Sequence, residues 1–431
     1  MHIERLLAKE HLPMKYFLTL SFLLLFQALF ANKILVPMDN KQANHLKAYG
    51  VAYWALEKEV TMEWLLNYRG GSFMFPYLKS LEERLVIKGI TYEIIPDGRA
   101  RSILNEIADP ETNMEVVQLE VAPKIAVYTP PGKLPWDDAV TLVLTYAEIP
   151  YSEVYDAEVV NGMLPEYDWL HLHHEDFTGQ YGKFYASFRS YPWYKQQVSD
   201  LEALAASLGF DKVSKMKLSV AQKIKNFVIA GGFLFTMCSG TDSFDIALAA
   251  LNTDICEPMY DGDPMHHDCQ ERLDFSQTLA FQNFQLVKDP MKYEYSNIDG
   301  TDDHMKLNEK TDKFELFEFS AKWDIVPTIL TQCHTSIING FMGQTTDFRK
   351  QFIKSNVIVM AENKALSTAR YIHGEMGMGT WTFYGGHDPE DYRHIVGDPP
   401  TDLNLYPNSP GYRLILNNIL FPAAKKQKQK T

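Results

Sequence analysis

Two hydrophobic spacings alternate along the first part of this chain. Short dense apolar runs, KILVPMD at 33–39, ITYEII at 90–95 and MEVVQLEV at 114–121, have the length and β-branched content of strands. Residues 42–58, 78–88 and 98–108 carry apolar positions three and four apart, the period of a helix. VTMEWLLNYRGGSFMFPY at 60–77 predicts a strand, a Gly-Gly break and a second short run. Residues 32–122 therefore read as an N-terminal α/β region.

Pro123 marks a boundary. KIAVYTP at 124–130 is a buried-strand pattern, followed by a Pro-Gly turn. Residues 136–149 predict an amphipathic helix with Asp137 and Asp138 in its first turn, where carboxylates complement the helix dipole. Further strands are predicted at 151–156, 167–176 and 232–240, with helices over 201–206 and 220–230. TDSFDIALAALN at 241–252 opens another helix, with Thr241 as its cap. This series predicts an α/β fold built on a doubly wound, mostly parallel sheet. Residues 254–313 interrupt it with an acidic, irregular stretch, a long loop insertion of the kind that covers a site. Strand patterns resume at 314–320 and return in VIVMAENKALSTARYIHG and GTWTFYGGHDPED. NSPGYRLILNNILF at 408–421 predicts a closing helix with Ser409 as cap and Pro410 in its first position. The basic tail 422–431 reads as disordered.

Composition narrows the class. With 46% hydrophobic and 13% aromatic residues the 431-residue chain can fill a core, which excludes a disordered or collagen-like protein. Its net charge of −14 argues against a nucleic-acid partner, because phosphate neutralisation needs clustered Lys and Arg. Residues 16–30, YFLTLSFLLLFQALF, carry no charge and follow Lys15. The run is short for a bilayer span and matches the apolar core of a secretory signal cleaved after Ala31. The mature chain is then expected in the periplasm or outside the cell, with no stable membrane span. Four cysteines remain, of which Cys256 and Cys269 are the expected pair in an oxidising compartment.

Three constellations could carry chemistry. In FTMCSGTDSFD (235–245) a buried strand runs into Cys238, then the small residues Ser239 and Gly240, then a helix. A nucleophile elbow needs this layout, with backbone N–H groups near Ser239 and Gly240 to hold an oxyanion. In TFYGGHDPED (382–391) a strand ends in Gly-Gly and His387, with Asp388, Glu390 and Asp391 close behind. His387 could act as base and Glu390 as the acid that orients it. In HLHHED (171–176), His171 and His173 share a strand face near Asp176. Two imidazoles and a carboxylate suit a divalent metal, the centre of a metal-dependent hydrolase as an alternative function, and His266, His267 and Asp268 could complete such a site. No cofactor beyond that metal is suggested. Asp302, Asp303 and His304 read as a solvated loop. The aromatic segments PWYKQ (192–196) and GTWTFYGG (379–386) offer stacking surfaces for a small-molecule or carbohydrate ligand, on a protein that need not be catalytic.

A strand, a Cys elbow and a late strand ending in Gly-His-Asp-Pro-Glu together resemble the class I glutamine amidotransferase-like, flavodoxin-like superfamily. The resemblance covers about residues 123–421, and PGYRLILNNIL is similar to the closing helix of its ThuA-like members. It implies a Cys-dependent hydrolase or transferase acting on an amide or similar bond, with Cys238 as nucleophile, His387 as base and Glu390 as orienting acid. The chain departs from true glutaminases: Thr236 stands where their elbow has its first Gly, and Asp388 is inserted between His and Pro. HLHHED also stands where they carry a Gly-Gly-Pro-Gly oxyanion loop. SGTDS at 239–243 resembles, one Gly short, the SGGxDS pyrophosphate loop of asparagine synthetases, and the chain looks like secreted Bacteroidetes-type proteins labelled asparagine synthetase B. That activity is disfavoured, because it needs a processed N-terminal Cys and none precedes Cys238.

Overall fold

The computed structural model describes residues 32–132 and 135–424. The signal segment and residues 425–431 of the tail lie outside them. Two sheets organise the chain. The first contains β1 (Asn32–Val36), β2 (Met62–Leu66), β3 (Ser72–Pro76), β4 (Glu93–Pro96) and β5 (Glu115–Leu119), in the order β4-β1-β3-β2-β5. Every pairing in it is antiparallel. Helices α1 (His45–Glu57), α2 (Lys79–Ile87) and α3 (Asp97–Ala108) connect its strands.

The second sheet begins after Pro123. It holds β6 (Ile125–Tyr128), β7 (Ser152–Val154), β8 (Trp169–Leu172), β9 (Phe233–Met237), β10 (Lys313–Leu316), β11 (Ile337–Asn339), β12 (Phe348–Arg349), β13 (Ile358–Asn363), β14 (Thr368–Met376) and β15 (Gly379–Tyr384). Strands run in the order β11-β10-β13-β14-β15-β9-β8-β6-β7, with β12 beside β14. The segment from β15 to β7 is parallel throughout. The other half is antiparallel, so the sheet is mixed rather than mostly parallel. The cause is local: β14 and β15 are joined by Gly377 and Met378 alone, and Gly377 takes a φ of +63°. A two-residue link with a left-handed glycine makes a tight hairpin and forbids a crossover.

Side chains alternate between two cores along the parallel strands. Ile125, Val127, Trp169, Phe235 and Met237 enter one core, together with α1, α4 (Ala139–Ala147) and the C-terminal helix. Ala126, Tyr128, Leu170, Leu172 and Leu234 enter the other, beneath α6 (Val213–Ile229) and α7 (Gly240–Ala249), with α5 (Pro192–Ser207) beside α6. Burial on both faces explains why these strands read as continuous apolar runs. The first core also takes Ile34, Trp64 and Phe73 from the small sheet, so the hydrophobic core crosses the Pro123 boundary. Gly50 permits this, because a Cβ there would overlap the Ala147 carbonyl oxygen.

Helix ends follow side-chain capping. Asp138 precedes α4 as its N-cap, accepting from Val140 and Thr141 N–H at 2.7 and 3.0 Å, so neither acid sits inside the first turn. Ser409 caps α8 (Pro410–Leu420) with Pro410 at its start. Ser239, not Thr241, is the N-cap residue of α7, and the Thr241 hydroxyl bonds back to the Cys238 carbonyl at 2.7 Å. The expected Cys256–Cys269 disulfide is not formed, and all four cysteines are free thiols. Cys256 Sγ donates to the Thr178 carbonyl and Cys269 Sγ lies beside Met265. Among the described residues, no helix is long and apolar enough to cross a membrane.

Candidate functional site

Cys238 is the residue at which β9 turns into α7, and its φ is +51°. A non-glycine residue enters this region at a steric cost of about 1 kcal/mol or more and stays only where its surroundings enforce it. Here the enforcement is dense. Cys238 N–H donates to the Gly386 carbonyl at 3.2 Å, while its carbonyl accepts from Thr241 N–H at 3.1 Å. Gly240 N–H donates to the His173 carbonyl at 2.7 Å. A Cβ on Gly240 would overlap that carbonyl oxygen, so the small residue after the elbow is a packing requirement. The same bond commits the Gly240 N–H, which is then not a donor for substrate.

The sulfur accepts from Gln344 N–H at 3.3 Å. Burial disfavours its thiolate, but His387 and the N–H groups of Thr345 and Gln344 outweigh burial and lower the thiol pKa. His387 is its counterpart. Burial would lower the imidazole pKa, yet the Asp137 carboxylate and the Cys238 sulfur raise it to about 10. His387 Nε2 lies 3.8 Å from Asp137 Oδ1. Asp137 Oδ1 is also 3.2 Å from His394 Nε2, and His394 Nδ1 is 3.0 Å from Asp391 Oδ2. Three imidazoles stack around this line, His173 on His387 at 4.3 Å and His387 on His394 at 4.2 Å.

Cys238 and His387 thus line one cleft and stabilise each other's charged forms, but Glu390 does not join them. Glu390 is drawn to the Ser409 side chain, because a turn over residues 388–391 lets Asp388 accept its N–H at 2.8 Å. The acid at His387 is Asp137, from the segment entering α4. His171 and His173 also converge, on Asp138 Oδ2 at 3.3 and 3.4 Å. The strand ends at Leu172, so His173 to Asp176 belong to the following loop. Asp176 is separate from them. Its carboxylate holds its own loop, accepting from Thr178 N–H and hydroxyl at 2.7 and 2.6 Å and from Gly182 N–H at 3.1 Å. His266 and His267 lie elsewhere: His266 bonds Asp254 N–H at 3.1 Å, and His267 is exposed next to Asp268.

A cleft of about 220 Å³ opens onto Cys238, His387 and His394. Trp136 and Phe184 wall it, and Tyr293 and Met305 reach it from the long insertion. Trp193 of the PWYKQ segment packs edge-on against Trp136. Trp381, Phe383 and Tyr384 of GTWTFYGG are core residues and offer no stacking surface. The SGTDS segment forms the buried start of α7, where Ser243 bonds the Glu175 carbonyl at 3.0 Å and Asp242 accepts from Thr345 at 2.8 Å. It exposes no loop to cradle a phosphate.

Sequence reasoning missed Asp137 and Asp138 as site acids, because two acids before a helix read as dipole partners. It also missed His394 and the loop 343–347, whose signal was Gly340 and Gly343 ahead of the polar run 344–347. His304 is a further correction. It is fully buried, with Nδ1 2.9 Å from Asp312 Oδ2 and Nε2 bonded to Asp347 Oδ2.

No family model matches the chain, and no curated protein matches it. Among solved structures, two cytoplasmic proteins of Salmonella typhimurium align over 70% of this chain and 100% of their own, at 9% and 10% identity and a TM-score of 0.34 each. An exo-beta-1,4-mannosidase from Opitutaceae bacterium strain TAV5 aligns over 61% of this chain and 31% of its own, at 10% identity and a TM-score of 0.27.

Proposed function

We propose that this protein is a cysteine-dependent hydrolase or transferase acting on an amide or similar acyl bond, on a class I glutamine amidotransferase-like fold. Cys238 is the nucleophile, His387 the proton carrier and Asp137 the orienting acid. One observation carries the reading: Cys238 is held at φ +51° between a strand and a helix, in a cleft that His387 also lines. The fold supports it. Numbered along the chain, the parallel strands β7-β6-β8-β9-β15 follow the order 2-1-3-4-5 of flavodoxin-like sheets, whose ligands bind at the carboxyl ends of the strands. Cys238 stands at that end of β9.

The chemistry follows from the contacts. The thiolate attacks the carbonyl carbon, and the carbonyl electron pair moves to oxygen. In this reading the Gln344 N–H, 3.3 Å from the sulfur, and the N–H of Ser239 are assigned to hold that oxyanion. The imidazolium of His387 protonates the departing amine as the C–N bond breaks, leaving a thioester on Cys238. His387, now neutral, deprotonates a water or a second acceptor that attacks the thioester and restores the thiol. A cleft of about 220 Å³ is smaller than the roughly 300–1,000 Å³ of drug-sized sites, so the acyl group is small. The apolar run 16–30 supports a periplasmic or secreted site of action.

Exposure to small activated acyl esters, followed by peptide mass spectrometry, tests the reading. An acyl adduct on Cys238 that is absent in His387→Ala supports it. Acylation spread over lysines with Cys238 unmodified refutes it.

A further inference from the structure

We propose that Asp137, His387 and His394 form a binding site for a divalent transition-metal ion of the zinc type. Four of their polar atoms carry the argument. Both carboxylate oxygens of Asp137, His387 Nε2 and His394 Nε2 are buried and make no aligned hydrogen bond, their only partners being one another in ion-pair reach. Their side chains are only 8%, 6% and 6% exposed. Buried polar atoms are almost always satisfied, so orphans that converge on one point mark a ligand.

The spacing fits a metal. Two ligand atoms about 2.0–2.1 Å from a tetrahedral ion stand about 3.3 Å apart. Asp137 Oδ1 lies 3.2 Å from His394 Nε2 and 3.8 Å from His387 Nε2, and one atom of each residue falls within 4.8 Å of the others. Asp391 Oδ2, 3.0 Å from His394 Nδ1, supplies the outer carboxylate that orients a metal-bound imidazole. Two imidazoles and one carboxylate suit zinc or iron(II) rather than magnesium or calcium. Because His387 and His394 line the cleft, an ion there keeps an open coordination position toward it.

The neighbouring groups are less suited. Asp138 spends one oxygen capping α4, and neither His171 nor His173 lines the cleft. His174 Nε2 is taken by the Trp136 indole N–H. Asp254 and Asp261 are already paired with Lys212 at 2.9 and 3.0 Å.

Binding itself does not depend on the role of Cys238. One consequence does rest on the proposed function: a metal on His387 Nε2 withdraws the imidazolium from the thiol, so occupancy suppresses cysteine chemistry.

The test is competition for Zn(II) against a chromophoric chelator, on full-length protein stripped with EDTA. One equivalent per chain is expected, weakened at least tenfold in His394→Ala and in Asp137→Asn. Circular dichroism melts confirm that both variants are folded. Cys238→Ala is expected to keep the equivalent, which separates this site from the nucleophile assignment. No zinc uptake at micromolar concentration by the unsubstituted protein overturns the proposal, as does full uptake by both ligand variants. In the unsubstituted protein, zinc should slow iodoacetamide labelling of Cys238 and EDTA should restore it. Labelling unaffected by bound zinc removes the regulatory consequence and leaves the site.

Discussion

Replacing His304 by Gln should cost stability at neutral pH and progressively less at alkaline pH. The His304 imidazole is fully buried between Asp312 and Asp347. Burial alone would favour its neutral form, but bonds to the two carboxylates overcome burial and raise its pKa from 6.5 to about 9. A folded-state pKa above the unfolded one stabilises the protein fully below the unfolded value. That contribution fades as pH rises through the folded value. The gap between 6.5 and about 9 corresponds to ~3 kcal/mol, present below about pH 6.5 and gone above about pH 9.5. The bond matters to the site because Asp347 ends the loop that carries Gln344 over Cys238. Urea unfolding of the original protein and His304→Gln, followed by tryptophan fluorescence at pH 6, 8 and 10, measures the difference. It should shrink by ~3 kcal/mol from pH 6 to 10, other titrations cancelling between the two proteins. A difference that stays constant or grows with pH refutes a charged His304.

Gly240→Ala should lower stability by about 1–3 kcal/mol, because the added methyl meets the His173 backbone; an unchanged urea midpoint contradicts the tight elbow. Asp137→Asn should slow acylation of Cys238 at least tenfold, whereas Glu390→Gln should leave the rate within about twofold, given the partners of each acid. Equal effects in mass-spectrometric time courses would return Glu390 to the site. Thiol titration of unreduced, unfolded protein should count four thiols per chain, since all four cysteines are free; a count of two restores the disulfide.

Much of the fold was legible because local patterns decide it. The strand starting at residue 33, the helix expected over 42–58 and the Ser409-Pro410 helix start all rest on spacing or caps within a few residues. The antiparallel half of the large sheet was not, because hairpin or crossover turned on two residues, Gly377 and Met378. In the site, Cys238 and His387 were visible from strand ends followed by small residues. Asp137 was not, since its partner lies 250 positions later, and a carboxylate near a helix start has a sufficient local explanation. Glu390 failed for the opposite reason. Its place next to His387 in sequence suggested contact, but the turn at Asp388 directs it to Ser409. His304 looked solvated because Asp347, one of the two acids that hold it, lies 43 positions later in another segment.

The central claim is that Cys238 is a nucleophile activated by His387. The other thiols provide an internal control: burial raises the pKa of Cys256 and of Cys333, whereas that of Cys238 is lowered. Folded protein should be treated with substoichiometric iodoacetamide at pH 7 after EDTA, and each cysteine peptide quantified by mass spectrometry. Cys238 should be alkylated first, and His387→Ala should slow that reaction at least tenfold. Preferential labelling of Cys333, the least buried of the four, with Cys238 unmodified would contradict it.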